Sequence, residues 1–180
     1  TKGADPLTQG NHLAEFENSF RKYIDVEHAF GLTNAASALE LIAVLSKLGP
    51  GDEVITAANT FVATVGPICE LGATPVFVDV EPDTGNLNAA LVEAAITPRT
   101  RAILPVHLTG RPADMDPIME IAGRHGLHVV EDCAQAISAK YRGNRVGTIG
   151  TVGCFSLHPL KTLNACGDGG ALTTDDPDLY

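Results

Sequence analysis

Apolar residues recur along the chain in two alternating patterns, one typical of amphipathic helices and one of short buried strands. The first helical pattern covers residues 11–23, where Leu13, Phe16, Phe20 and Tyr23 recur at helical spacing. Further helical patterns cover residues 36–48, 62–71, 89–95 and 112–124. Between them, short apolar runs predict strands at residues 29–32, 53–55, 75–78, 102–106 and 128–130. This alternation predicts an α/β fold with a mostly parallel sheet.

The last part of the chain departs from this alternation. Residues 151–157 and 170–174 are predicted strands, but the loop between them shows no helical periodicity. In an open α/β sheet, ligands bind beyond the carboxyl ends of the strands, so functional residues are expected directly after them.

Composition narrows the range of ligands and compartments. Acidic residues outnumber basic ones 22 to 12 and give a net charge of -10, which argues against a nucleic-acid partner and favours a small metabolite. The four cysteines contain no C-x-x-C pair and are interpreted as reduced thiols. No apolar stretch approaches the length of a membrane span, so no membrane partner and a cytoplasmic location are expected. The missing initiator Met suggests a fragment of a longer protein.

Asp132 ends a buried strand, where a carboxylate needs a cation or several donors. On its own, a helix N-cap or a structural ion pair explains it as well. Lys161 lies in an irregular turn after the strand that ends near Ser156. A desolvated lysine amine can attack an aldehyde to form an imine, although a solvated loop lysine is the commoner case.

The combination of these residues is more informative than any one of them. An enzyme that uses pyridoxal 5'-phosphate (PLP) needs a lysine for the Schiff base, an acid for the pyridine nitrogen, and hydroxyl or amide donors for the phosphate. Lys161, Asp132 and Ser156 supply that set.

The segments EDCAQA at 131–136, FSLHPLK at 155–161 and GDGG at 167–170 resemble the DegT/DnrJ/EryC1/StrS sugar aminotransferases. Ordered matches also occur at 13–17, 51–55, 60–64, 79–80 and 106–108, so the resemblance covers most of the chain. It implies the three-layer PLP-dependent transferase fold type I, with residues 1–180 as the large cofactor domain and a C-terminal small domain absent from this chain. Relatives of this kind usually work as homodimers with shared active sites.

Carried over by position, the resemblance implies that Lys161 forms the Schiff base and Asp132 pairs with the pyridine nitrogen. Gln135 would contact the ring oxygen, Ser156 the phosphate, and Phe61 would stack on the ring. Without the resemblance, Phe61 would be interpreted as ordinary core.

The turn at 33–37 opens a predicted helix, so Ala36, Ser37 and free backbone amides are expected to bind phosphate, while capping alone would explain Asn34. This turn lacks the family's usual Gly-Thr pair.

Other candidate residues are given structural interpretations. Leu108-Thr109-Gly110 lacks the aromatic residue that commonly precedes this glycine, a difference at the expected pocket wall. His107 is interpreted as structural rather than as a catalytic base, and the GDGG segment as close backbone packing beside Lys161. His125 and His128 are read as polar edge residues, and no metal is expected.

The resemblance implies transfer of an amino group from glutamate or glutamine to a keto sugar, most often nucleotide-linked, in amino sugar biosynthesis for a cell-surface polysaccharide or an antibiotic. A deoxysugar dehydratase of the same fold is one alternative, but such relatives replace the lysine with histidine. A non-catalytic regulator that keeps the fold and an unrelated nucleotide-binding α/β domain are the others.

Overall fold

The computed structural model describes residues 10–45 and 47–179, with the side chains of residues 42–45 left out. Five α-helices are found in the described part of the chain: α1 Asn11–Ile24, α2 Ala35–Leu45, α3 Val62–Glu70, α4 Ala89–Val92 and α5 Met115–His125. The same part contains nine strands: β1 His28–Leu32, β2 Glu53–Ala57, β3 Thr74–Val78, β4 Thr100–Leu104, β5 His128–Asp132, β6 Lys140–Tyr141, β7 Asn144–Arg145, β8 Val152–Ser156 and β9 Gly170–Thr174.

Seven of these strands form one sheet in the order β1-β9-β8-β5-β4-β2-β3. The pairs β2/β3, β2/β4, β4/β5 and β5/β8 are parallel, whereas β9 pairs antiparallel with both β1 and β8. The prediction of a mostly parallel α/β sheet is therefore confirmed. The loop without a helix between β8 and β9 agrees with the antiparallel pair, because a parallel connection needs a crossover, usually an α-helix, that returns the chain to the other end of the sheet.

Side chains of successive strand residues point to opposite faces of the sheet and pack against different helices. Val54, Leu104 and Val130 pack with α2 and α3, whereas their neighbours Ile55 and Ile103 pack with α4 and α5. Helix α1 covers the β8/β9 end of this second face, where Phe20 meets Phe155 edge-on at 5.2 Å between ring centroids. The result is a three-layer arrangement with helices on both faces of the sheet.

This topology collects seven chain segments at one edge of the sheet. Strands β2, β3, β4, β5 and β8 run in the same direction and end there, and β9 begins there. Strand β1 is antiparallel to β9, so it also ends at this edge and leads directly into α2. The residues expected to carry chemistry follow these strand ends.

Several element limits differ from the sequence prediction by a few residues; for example, the strand predicted at 102–106 is β4 Thr100–Leu104. The helix expected at 112–124 begins only at Met115, after an extended Asp114 at its N-cap. The small antiparallel pair β6/β7 was not predicted, because strands of two residues carry no apolar period. No helix in the described part of the chain is long and apolar enough to cross a membrane.

Candidate active site

Asp132 is the last residue of β5 and is only 6% exposed. Its backbone is fixed from both sides, because its amide donates to Pro105 O at 2.9 Å and its carbonyl accepts from the His107 amide at 3.0 Å. Its carboxylate accepts from the Ala134 amide at 3.0 Å and from Thr64 Oγ1 at 2.8 Å. The carboxylate is thus held by two donors. Neither the helix cap nor the ion pair considered for Asp132 is found among the described residues.

Gln135 follows Asp132 and is held by the segment after β4. The Thr109 amide donates to Gln135 Oε1 at 2.8 Å, which commits the side-chain oxygen and leaves the amide NH₂ group to meet an acceptor. Thr109 and Gly110 both have positive φ, 55° and 86°. A Cβ at Gly110 would lie 3.3 Å from Gln135 O, so the turn and Gln135 are packed closely.

Ser156 ends β8 and is half-buried at the same edge. Its register partner in β9 is Gly170, which also pairs with Leu32 at the end of β1. A Cβ at Gly170 would lie 2.4 Å from the carbonyl carbon of Asn34, so only glycine allows β9 to approach the turn before α2 this closely. The close packing expected of the glycine segment is found at Gly170, but against Asn34 and Ala35 rather than beside Lys161.

The turn at 33–37 therefore lies beside the strand that ends in Ser156. Asn34 Oδ1 accepts from the Ser37 amide at 2.8 Å, which confirms the capping role considered for Asn34. Ser37 Oγ lies 3.0 Å from Thr33 Oγ1. In the first turn of α2, the amides of Ala35 and Ala36 have no intrahelical acceptor and remain available to an anion.

Lys161 lies in the irregular loop between β8 and β9 and is partly buried. The loop is closed at its base, because the Leu157 amide donates to Gly169 O and the Ala165 amide to Leu157 O. The backbone amide of Lys161 donates to His158 O, and its backbone carbonyl oxygen accepts from Asn164 Nδ2. The neighbouring Leu160 is 88% exposed, so this part of the loop presents apolar surface to solvent.

Phe61 is the N-cap residue of α3 and is 68% exposed. The alternative that Phe61 belongs to the core is therefore wrong. Phe61 lies after the end of β2, at the same edge of the sheet. Its carbonyl oxygen accepts a hydrogen bond from the Thr64 amide. The ring is thus an uncovered apolar face next to the segment that contacts Asp132.

The seven predicted site residues all lie at this one edge of the sheet: Ala36, Ser37, Phe61, Asp132, Gln135, Ser156 and Lys161. In the described part of the chain, none of their side chains is hydrogen-bonded to another of the seven. A separate, mostly apolar groove of about 1140 Å³ lies between α1, β1 and the Lys161 loop, and none of the seven lines it.

Glu131 points to the opposite face of the sheet from Asp132 and is completely buried. Its carboxylate accepts from the amides of Gly147, Ile149 and Gly150 and lies 3.0 Å from His107 Nε2. Because His107 Nδ1 accepts from the Ala113 amide, the ring proton is assigned to Nε2, which donates to Glu131. This confirms the structural interpretation of His107.

The thiols of the two buried cysteines near Asp132 have low reactivity. Burial, followed by the nearby carboxylates of Glu131 and Asp132, raises the pKa of the Cys133 thiol well above its ordinary value. The same causes raise the pKa of Cys154. Both are therefore unsuited to act as nucleophiles.

Sequence reasoning missed Thr64, Thr60 and the Thr109 amide. Thr64 contacts Asp132, which lies 68 positions away along the chain. Its sequence signals were a second threonine four residues earlier and its place in the matched segment 60–64, and neither points to Asp132. His125, by contrast, lies on the surface beside Glu93, in agreement with its assignment to a polar edge.

Comparisons with known proteins agree with this architecture. The chain is 50% identical over 170 residues to dTDP-3-amino-3,4,6-trideoxy-alpha-D-glucose transaminase of Streptomyces venezuelae, covering 94% of this chain and 45% of the relative. It is 48% identical over 170 residues to GDP-perosamine synthase of Caulobacter vibrioides, covering 94% of this chain and 46% of the relative. The chain thus spans about half the length of these relatives.

Solved structures give the same result. DesV of S. venezuelae, in complex with a ketimine intermediate, superimposes with a TM-score of 0.93 and 49% identity, covering 99% of this chain and 47% of DesV. NtdA of Bacillus subtilis, with bound cofactor PMP, superimposes with a TM-score of 0.90 and 35% identity, covering 96% of this chain and 39% of NtdA.

The seven-stranded sheet with helices on both faces has the fold of the PLP-dependent transferases of fold type I. The sequence model of the DegT/DnrJ/EryC1/StrS aminotransferase family matches residues 2–180, and the chain belongs to that family.

Proposed function

We propose that this chain is the cofactor-binding part of a PLP-dependent sugar aminotransferase. Such an enzyme would move an amino group from glutamate or glutamine to a nucleotide-linked keto sugar in amino sugar biosynthesis. The observation that carries the proposal is the placement of Lys161, Asp132 and Ser156 after neighbouring strands at one edge of the sheet. The names of the relatives near 50% identity support the sugar substrate.

The residues at this edge fit the chemical groups of pyridoxal phosphate. Free amides at the start of α2 and the Ser156 hydroxyl lie where β1, β8 and β9 meet, which suits a phosphate. The Asp132 carboxylate has acceptor capacity left beyond its two donors, which suits a protonated ring nitrogen. The exposed ring of Phe61 offers a flat apolar face for stacking.

When bound, the cofactor supplies an aldehyde that an amine can bind covalently and a ring that takes up an electron pair. In the proposal, Lys161 holds the cofactor and, once released, moves a proton as general base. Asp132 holds the ring nitrogen protonated, and Gln135 donates its free NH₂ group to the ring oxygen. Ser156, Ser37 and the Ala36 amide bind the phosphate, while Phe61 excludes water from one face of the ring.

Three further features belong to the same proposal. Residues 1–180 would form the large domain of a longer enzyme, in line with the half-length coverage of the relatives. The full protein would act as a homodimer with shared sites, for which the exposed Leu160 and Phe61 at the site offer apolar surface. A cytoplasmic location is supported by four free cysteine thiols.

The test is the visible absorption spectrum of the full-length protein loaded with PLP. We expect a band from the covalent linkage in the wild type and in Lys140→Ala, which removes an exposed lysine of the β6/β7 pair. Lys161→Ala should lack the band. Borohydride reduction followed by peptide mapping should find the label on Lys161. Absence of the band in a folded wild-type protein would refute the proposal and favour a non-catalytic binding protein.

A keto-sugar assay of the loaded protein then separates transamination from dehydration. Glutamate or glutamine should be consumed in step with formation of an amino sugar. Loss of water from the sugar without consumption of either donor would identify a dehydratase instead.

A further inference from the structure

Two threonines outside the predicted site connect the start of α3 to Asp132. Thr64 is 2% exposed, and its Oγ1 lies 2.8 Å from Asp132 Oδ2. Thr60 Oγ1 lies 2.7 Å from Thr64 Oγ1. The three side chains therefore form a continuous hydrogen-bond chain from the end of β2 to the end of β5.

The direction of this chain follows from the chemistry of its last member. An ionised carboxylate only accepts hydrogen bonds, so the single hydroxyl proton of Thr64 is committed to Asp132. Thr64 must then accept from Thr60 in the shorter contact. Because each donor in this hydrogen-bond chain has one possible acceptor, the three side chains are held in one arrangement. Connected hydrogen bonds also strengthen one another in a low-dielectric interior.

The hydrogen-bond chain also connects two surfaces that the proposed cofactor would touch. Asp132 would meet the ring nitrogen, and Phe61, which lies between the two threonines in sequence, would meet the ring face. The Phe61 carbonyl accepts from the Thr64 amide at 2.9 Å, so the same turn fixes the backbone of Phe61. Both contacts of the ring are thus anchored to Thr64, Asp132 through the side-chain hydroxyl and Phe61 through the backbone amide.

We propose that Thr64, supported by Thr60, is a positioning residue that holds the Asp132 carboxylate in register with the cofactor ring. The proposal rests on the PLP-dependent function inferred above. Thr64 does not touch the reacting atoms, and its effect reaches the chemistry only through Asp132. Its loss should weaken the contact between Asp132 and the ring nitrogen while leaving Lys161 able to form its linkage.

The experiment compares Thr64→Val, Thr64→Ser and Thr56→Val in the full-length protein. Thr64→Val removes the hydroxyl at nearly constant volume, and Thr64→Ser keeps it. Thr56→Val is the matched control, because Thr56 is also buried but its Oγ1 donates to Leu104 O at 2.8 Å, away from Asp132. The readouts are the dissociation constant of PLP, the pH midpoint of the visible band, and the thermal unfolding of the cofactor-free protein.

We expect Thr64→Val to raise the dissociation constant of PLP about tenfold, the usual scale for a lost hydrogen bond to a charged group. The pH midpoint of the band should rise, because a poorly held Asp132 keeps less positive charge on the ring nitrogen and leaves the lysine linkage more basic. Thr64→Ser, which keeps the hydroxyl, should leave the dissociation constant of PLP and the pH midpoint near their wild-type values. Thr56→Val should leave both unchanged, even where it lowers the unfolding temperature.

Thr60→Val tests the hydrogen-bond chain without altering a residue that contacts Asp132. It should move the affinity and the midpoint in the same direction as Thr64→Val, by a smaller amount. In a Thr64→Val background it should have no further effect, because its connection to Asp132 passes through Thr64. This variant decides the question if Thr64→Val fails to fold.

The outcomes separate this inference from the proposed function. A wild-type protein without the visible band would refute the function itself. A wild-type band whose midpoint is unchanged in Thr64→Val, or changed equally in Thr56→Val, would overturn the positioning role alone. Additive effects of Thr60→Val and Thr64→Val would overturn the one-way chain.

Discussion

Individual side chains at the sheet edge are held by partners from distant parts of the sequence. Asp132 takes one hydrogen bond from its own turn and one from Thr64 in α3, while Gln135 is oriented by the Thr109 amide. Each functional group is thereby restricted to one orientation before any ligand arrives. Such preorganisation reduces the cost of forming charge contacts during a reaction.

The negative charge of Asp132 can be tested by substitution. Asp132→Asn keeps the shape and one acceptor oxygen but removes the negative charge that would hold the ring nitrogen protonated. We expect turnover of the full-length enzyme to fall by roughly 10²- to 10³-fold, with the Lys161 linkage still visible. Steady-state transamination assays measure this. Asp83→Asn, in an exposed turn, serves as the control, and equal activity of both variants would contradict the role of Asp132.

Single elements are fixed by contacts at their ends as well as by their apolar faces. Strand β2 begins at the buried Glu53, whose carboxylate accepts from Thr97 Oγ1 at 2.5 Å and from Arg99 Nε at 2.9 Å. These contacts join β2 to the loop that leads into β4, its parallel neighbour. The hydrogen bond from Thr97 and then the Arg99 guanidinium lower the pKa of Glu53 below its ordinary value of 4.5.

A lowered pKa in the folded state makes stability depend on pH in one direction. The contribution of Glu53 is complete above its ordinary pKa and is lost as the pH falls through the lower folded value. From about pH 6 to about pH 3, the wild type should therefore lose more unfolding free energy than Glu53→Gln. Urea unfolding at a series of pH values measures this. Glu40→Gln, at an exposed position, should follow the wild-type curve, and parallel curves for all three proteins would contradict the prediction.

In the molecule as a whole, one buried carboxylate joins three separate parts of the chain. Glu131 in β5 binds the amides of Gly147, Ile149 and Gly150, which precede β8, and His107, which follows β4. Through the Ala113 amide, His107 extends the connection to the segment before α5. All four acceptor positions of the carboxylate are filled by donors.

Glu131→Gln should therefore destabilise the whole domain. Its amide nitrogen would face two donors in either orientation, so buried donors would lose their acceptor. We expect a loss of about 3 to 5 kcal/mol of unfolding free energy, measured by chemical denaturation. Glu120→Gln, at an exposed residue of α5 paired with Arg124, should change it by less than about 0.5 kcal/mol. A similar, small effect for both variants would contradict the anchoring role.

Element type was predictable where the local pattern was strong. The strand at 170–174 has its predicted limits, and the strand at 29–32 starts one residue earlier in the structure. The start of α5 was predicted three residues too early, because Pro112 and Ala113 are compatible with a helix but lie outside it in the structure, where the extended Asp114 is the N-cap residue. The placement of the candidate site residues at one edge was predictable because strand ends and the family motif coincide.

The amino-acid sequence by itself determined the alternation of helices and strands, the mostly parallel sheet, and the edge at which the chemistry-bearing residues gather. These features depend on local periodicity and on the fixed direction of parallel strands. Only the tertiary structure decided that Thr64 contacts Asp132, that Glu131 anchors residues 147–150, and that Phe61 is exposed. The physical reason is that such contacts depend on how a helix or loop packs against the sheet, and no local pattern of residues specifies that packing.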